Sequence, residues 1–122
     1  MKYHKEDCTL ARAILEAICE DYPLSKIREL YEHVAHTQGQ YFAFDGREYR
    51  VLHESEIDRI YHPEMKETIE DCYLGREFPW WIEIDWDETV QNVLDSDGYG
   101  NHFATYDHEE HYYEGYYVFR TD

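Results

Sequence analysis

The stretch Tyr41-Phe42-Ala43-Phe44-Asp45-Gly46-Arg47-Glu48-Tyr49-Arg50-Val51-Leu52-His53 decides the fold class. Two apolar-rich runs flank Asp-Gly, the dipeptide that supplies positive φ at both central positions of a two-residue type I′ turn. A β-hairpin therefore sits mid-chain. On its N-terminal side the period changes to that of helices. Over residues 8–21, Leu10, Ile14 and Ile18 fall on one stripe, with Ala11, Leu15 and Cys19 beside it. Pro23 restricts Tyr22 and marks a boundary. A second helix follows, with Leu24, Ile27, Leu30, Tyr31 and Val34 on its apolar face, and Gly39 ends this helical hairpin.

Beyond His53, Ser55-Glu56-Ile57-Asp58 has the form of a capping box. Ile57, Ile60, Tyr61, Met65, Ile69 and Cys72 keep helical spacing behind it, Pro63 kinks or restarts this helix, and Gly75 ends it. After Phe78-Pro79 the period becomes two: Trp80, Ile82, Ile84 and Trp86 share one face of a predicted strand, and Trp81, Glu83 and Asp85 the other. A short helix over residues 87–95 turns Val90, Val93 and Leu94 inward, with Asp85 or Asp87 as its cap. Asp97-Gly98-Tyr99-Gly100 is a turn. Residues 102–106 and 116–120 then read as two strands of a wide hairpin with an acidic tip. The expectation is one α+β domain over residues 1–122. It has an N-terminal helical hairpin, a kinked third helix, and a small antiparallel sheet built from the 41–53 hairpin and the C-terminal strands.

The chain has 122 residues, a formal net charge of −17, and 13 Tyr, 5 Phe and 3 Trp. Acidic disordered tails are poor in aromatics, so this composition points to a packed core. No run reaches the roughly 18 apolar residues of a membrane span, and Met1 to Asp7 lacks the apolar segment of a signal peptide. Cys8, Cys19 and Cys72 are widely spaced, with no C-x-x-C pair, which fits reduced, semi-buried thiols in a cytosolic protein. The charge disfavours direct contact with nucleic acid or anionic membranes and favours basic partners.

That charge is uneven. Residues 1–38 hold five bases and seven acids, residues 39–76 five and nine, and residues 77–122 one base, Arg120, and twelve acids. Duplex DNA offers about one charge per 100 Å². Seventeen charges spread over roughly 7,000 Å² give about one per 400 Å². Eleven net charges gathered on roughly a quarter of the surface give about one per 160 Å². Phosphate mimicry is therefore feasible if the last third forms one face.

Three groups invite a chemical role. Glu83, Asp85 and Asp87 alternate and would hold a divalent metal if they converged. A solvated face with a helix cap is the simpler account, since only Arg120 balances charge in this third. His102, Asp107, His108 and His111 offer transition-metal ligands, but His108-Glu109-Glu110-His111 spaces its histidines three apart, unlike H-E-x-x-H. Tyr99, Tyr106, Tyr112, Tyr113, Tyr116 and Tyr117 crowd the tail; tyrosine is enriched at interfaces and also serves as cross-strand core. Tyr112 and Tyr113 would face opposite ways on a strand, so one points outward. No G-x-S-x-G, P-loop or dinucleotide-binding glycine pattern occurs. The expectation is a binding protein, not an enzyme, with no resident metal or cofactor.

Phe78-Pro79-Trp80-Trp81-Ile82-Glu83-Ile84-Asp85-Trp86, Asp97-Gly98-Tyr99-Gly100, His102-Phe103-Ala104-Thr105-Tyr106-Asp107 and Tyr117-Val118-Phe119-Arg120-Thr121 resemble segments of small uncharacterised bacteriophage and prophage proteins. The resemblance spans roughly residues 45–122. It carries no catalytic residues with it, but it implies a setting. Small acidic phage proteins are often inhibitors of host defence, including anti-CRISPR and antirestriction proteins, and many imitate DNA. The expected function is an inhibitor, an anti-CRISPR first, working in the bacterial host cytoplasm as a monomer or dimer. Its target would be a basic nucleic-acid-binding protein such as a Cas effector or restriction enzyme. The expected contact set is Trp81, Glu83, Asp85, Asp87, Glu88, Asp95, Asp97, Asp107, Glu109, Glu110, Tyr113 and Glu114. The alternatives are a phage accessory or regulatory binding protein without a defence role, and a metal-dependent enzyme.

Overall fold

The computed structural model describes residues 4–74, 79 and 81–122. Its elements are α1 (Lys5–Ile18), α2 (Leu24–His36), β1 (Tyr41–Phe44), β2 (Arg47–His53), α3 (Ile57–Ile69), a π-type turn (Glu70–Leu74), α4 (Trp86–Asp97), α5 (Gly100–Phe103), β3 (His111–Tyr113) and β4 (Tyr116–Arg120). The fold class is α+β. The strands form an antiparallel sheet in the order β1-β2-β4-β3.

The predicted hairpin is present. Asp45 and Gly46 take φ 53° and 72°, and Phe44 pairs with Arg47. This turn fixes the register, and the register fixes the faces. Phe42, Phe44, Tyr49, Val51 and Val118 turn to one side, where Ala11, Ala13 and Ile14 of α1 and Leu30 and Val34 of α2 cover them. Leu52 and Phe119 turn to the other, against Ile57, Tyr61, Met65 and Ile69 of α3, Val90 of α4 and Phe103 of α5. In the paired strands β2 and β4, the neighbours Val51-Leu52 and Val118-Phe119 are all buried, as a strand covered on both faces requires. The result is three layers: helical hairpin, sheet, and α3 to α5.

Arg50 ties the α3 to α5 layer to the sheet. Its guanidinium donates to both Glu64 oxygens at 3.0 and 2.7 Å and lies 4.8 Å from the Phe103 ring centre. His102 meets the same carboxylate at 3.1 Å. The hydrogen bonds from Arg50 first, and then from His102, hold the Glu64 carboxyl below its usual range, while partial burial opposes them.

The C-terminal half departs from several sequence expectations. Over residues 81–86 the expected alternation does not produce a strand. The Ile82 N–H donates to the Pro79 carbonyl at 3.1 Å, which bends the chain. The Asp85 side chain then accepts from the Glu88 N–H at 3.2 Å and starts α4 with Trp86 in its first turn. Of the alternating residues, Trp80 lies outside the described set, as do Gly75 and Phe78. Residues 102–106 are not a strand either. The amides of His102 and Phe103 donate back to the Tyr99 carbonyl, forming α5 and burying Phe103. The strand beside β4 is instead β3, and the hairpin is tight, turning through Glu114 and Gly115 at φ 48° and 90°. The acidic tip becomes a loop ahead of β3.

Smaller corrections follow the same logic. The Ser55 capping box is not made, because Ser55 Oγ pairs with His53 Nδ1 at 2.8 Å and α3 begins at Ile57. The restart expected at Pro63 does not occur; α3 continues to Ile69 and widens only at Glu70–Leu74. Leu24 opens α2 exposed, not buried. Cys19 and Cys72 are exposed and only Cys8 is half-buried, so the thiols are more open than expected. Cys19 follows the last turn of α1 at φ 59°, which aims it out of the core.

Candidate partner-binding surface

With more than twice as many acids as bases, this fold holds several carboxylates with neutral donors. Tyr112 Oη on β3 donates to Glu54 at 2.7 Å. Tyr99 Oη, just before α5, donates to Asp58 in the first turn of α3. The Tyr22 hydroxyl differs: its proton is shared between Asp45 at 2.9 Å and Glu20 at 3.1 Å, and there Arg47 also pairs with Glu20 at 2.9 Å. In the first two places a guanidinium or ammonium would cancel the charge it positions. A phenol fixes the oxygen and leaves the charge in place.

Two of these pairs share one surface. Tyr112 and Tyr117 pair across β3 and β4 on the face that looks toward α3, with ring centres 4.9 Å apart. Tyr117 meets Tyr99 at 5.4 Å, and Tyr99 meets the buried Tyr61 at 5.5 Å. Glu54 and Asp58 border this aromatic row, and the Glu110 charge acts on both Tyr99 and Tyr117. Tyr112 is 54 % exposed, so the row reaches solvent beside fixed carboxylates.

The phenols respond to that setting. Burial first, then the Asp58 bond, pushes Tyr99 up; the Glu54 bond is the main cause for Tyr112; burial leads for Tyr116 and Tyr117. Tyr61 is pushed up to about 12 by burial and the Asp97 charge. An unfolded tyrosine ionises near 10.0, so between there and about 12 the unfolded chain gives up protons that the fold retains. Stability is therefore fully present below pH ~10 and falls as pH rises beyond it. Thermal melts taken from neutral pH to about 12, alongside tyrosinate absorbance, should show the melting temperature dropping over that interval. A flat profile would mean the phenols are not held in this way.

The twelve residues of the expected contact set are spread over separate regions. Trp81 is 67 % exposed and Glu83 is exposed beside it. Asp85 caps α4, Asp87 accepts from or pairs with His62 at 2.8 Å, and Glu88 is exposed. Asp95 accepts from Gln91 at 2.8 Å, and Asp97 ends α4. These α4 groups belong to the layer packed on α3. Asp107, Glu109 and Glu110 lie on the loop before β3. Tyr113 turns the other way, packing against the first core, while Glu114 shares a shallow groove with Cys8, Arg12 and Tyr31. The sheet thus stands between Tyr113 and α4. Tyr112, not Tyr113, is the outward tyrosine of that pair.

The metal-ligand groupings also change. Glu83, Asp85 and Asp87 do not converge: one is a cap, one meets His62, and one extends into solvent. His102 is occupied by Glu64, and His108 stands apart. Among the described residues, Asp107, Glu109 and His111 place ligand atoms within 4.8 Å of one another. The Asp107 carboxylate there accepts from the Glu109 N–H at 3.0 Å.

No protein-family model matches the chain, and neither a curated protein nor a solved structure matches it. The chemistry of the surface thus rests on its own residues. Glu54, Asp58 and Tyr117 were not singled out from sequence as contacts, because their partners are distant in the chain. The crowding of tyrosines in an acid-rich tail was the one available signal. Among the described residues, no helix is long and apolar enough to cross a membrane.

Proposed function

We propose that this chain inhibits a nucleic-acid-handling protein of bacterial defence by placing carboxylates where that protein expects phosphates. The observation that carries this is the pair Glu54 and Asp58, held by the Tyr112 and Tyr99 hydroxyls beside Glu110. Fixed anions with their charge intact suit a Lys/Arg groove, because the groove gains attraction without first having to order the anions. The exposed Tyr112 ring adds area that can be dehydrated on contact. The net charge of −17 steers a basic partner toward the surface. A phage setting, the expectation drawn from residues 78–121, puts a Cas effector first as the target and a restriction enzyme next. Anti-CRISPR activity is the specific form of the proposal.

The test removes charge while keeping shape. Glu54→Gln, Asp58→Asn and Glu110→Gln leave acceptors for the phenols. Combined, they should weaken binding to a captured effector or restriction enzyme by about 100-fold, taking ~1 kcal/mol for each charge. The melting temperature should stay close to that of the parent. Duplex DNA should displace the parent protein, and added salt should weaken it. Binding that survives the triple change at full strength would sink the proposal.

A further inference from the structure

A second feature lies on the α3 to α5 layer. Between α3, α4 and α5 is a pocket of about 400 Å³, lined by Met65, Thr68, Ile69, Thr89, Val93, Asp97, Asn101 and His102. Its volume is in the range of small-ligand sites. Met65, Ile69 and Val93 make it apolar within, and Asp97 and Asn101 bring polar atoms to its wall.

Three observations bear on what it takes. First, the Asp97 side chain makes no hydrogen bond or ion pair among the described residues. Second, it lies in the last turn of α4, which holds no basic residue. The carbonyl end of a helix is its negative end, so a carboxylate there is unfavourable and a cation beside it is favourable. Third, the apolar wall of Met65, Ile69 and Val93 stands beside that carboxylate, so one ligand can meet both an apolar surface and an anion.

Each feature is answered by the same ligand chemistry: a cation carried on an unbranched apolar stem. We infer that this pocket receives a lysine or arginine side chain of the basic partner. The stem would lie along Met65, Ile69 and Val93, and the charged head would meet Asp97 and Asn101. His102 stays committed to Glu64. The site therefore supplies an anchor for one side chain, separate from the Glu54–Asp58 surface, and it rests on the basic-partner proposal above.

The probe is n-pentylammonium titrated into isotope-labelled protein, with n-pentanol as its neutral counterpart. Ammonium should shift the amides of Thr68, Val93, Asn101 and His102, with a dissociation constant of order millimolar, as a fragment of this size allows. Asp97→Asn should weaken it by about tenfold, equal to ~1.4 kcal/mol. Asp97 is exposed, so this variant should fold as the parent does. Equal binding of pentanol and pentylammonium, or shifts away from these residues, would overturn the inference. With the partner protein, Asp97→Asn should cost a similar factor. If it costs nothing there while the Glu54, Asp58 and Glu110 neutralisation abolishes binding, the anchor is wrong and the inhibitor proposal stands. If that neutralisation costs nothing while pentylammonium still binds at Asp97, the inhibitor proposal fails and the cation pocket stands.

Discussion

Phe119→Ala should destabilise the protein by about 3–5 kcal/mol, as removal of a fully buried aromatic does. Phe119 is 0 % exposed on β4, pairs with Arg50 across β2, and lies 5.1 Å from Phe103 and 6.2 Å from Tyr117, ring centre to ring centre. Those contacts link the sheet to α5 and, through Phe103 and Tyr61, to α3. Alanine would leave a cavity under Arg50, whose guanidinium rests on Phe103 and whose bond to Glu64 joins the same two layers. The layer cannot close this gap readily, because β4 is held in register by β2 on one side and β3 on the other. Against a typical stability of about 5–15 kcal/mol, further lowered here by self-repulsion, the loss takes a large share. Urea unfolding should show the midpoint falling with the slope unchanged. A loss under about 1 kcal/mol would mean that the second core is loosely packed.

The first half of this fold is written locally, and the second half is not. Asp45-Gly46 dictates its own turn, and α1, α2 and α3 place Ile14, Leu30 and Tyr61 in the core by helical spacing alone. The Asp85 cap was also legible, because a carboxylate before a helical run meets amides only a few residues on. That same cap defeats the strand expected over 80–86: alternation across so few residues is weaker than a made cap and a turn at Pro79. At 102–106, an aromatic and β-branched run folds back as α5 because Phe103 finds a place beside Phe119 that no local pattern signals. The candidate surface is hidden for a similar reason. Tyr99 and Asp58 are 41 residues apart, and Tyr112 and Glu54 are 58 apart. Counting charge by thirds of the chain assigns Glu54 and Asp58 to a middle segment of five bases and nine acids, less acidic than the tail, yet the fold delivers them to the tyrosines of the tail.

Gly100→Ala should destabilise the protein by about 1–3 kcal/mol, the range for overpacking, although its local helical effect has the opposite sign. Glycine inside a helix is worse than alanine by about 1 kcal/mol, and Gly100 opens α5, so propensity alone predicts a gain. Packing reverses this. A Cβ at Gly100 would stand 2.8 Å from the His108 carbonyl oxygen, 3.0 Å from the Glu109 carbonyl carbon and 3.1 Å from the Glu110 nitrogen. All three are backbone atoms, so no side chain can swing aside. The loop itself is held by the His108 N–H bond to Ala104 at 2.7 Å, by the Asp107 bond to the Glu109 N–H, and by φ 59° at His108. Moving it costs those bonds or displaces α5 and Phe103 from the core. It also carries Glu110 away from Tyr99 and Tyr117, so the same variant should weaken partner binding beyond what its stability loss explains, even where the protein remains folded. Urea unfolding and partner affinity measured on one preparation separate the two effects. A gain in stability would show that the loop yields to the added methyl group, and Glu110 would then be free to leave the surface on which the proposed contact depends.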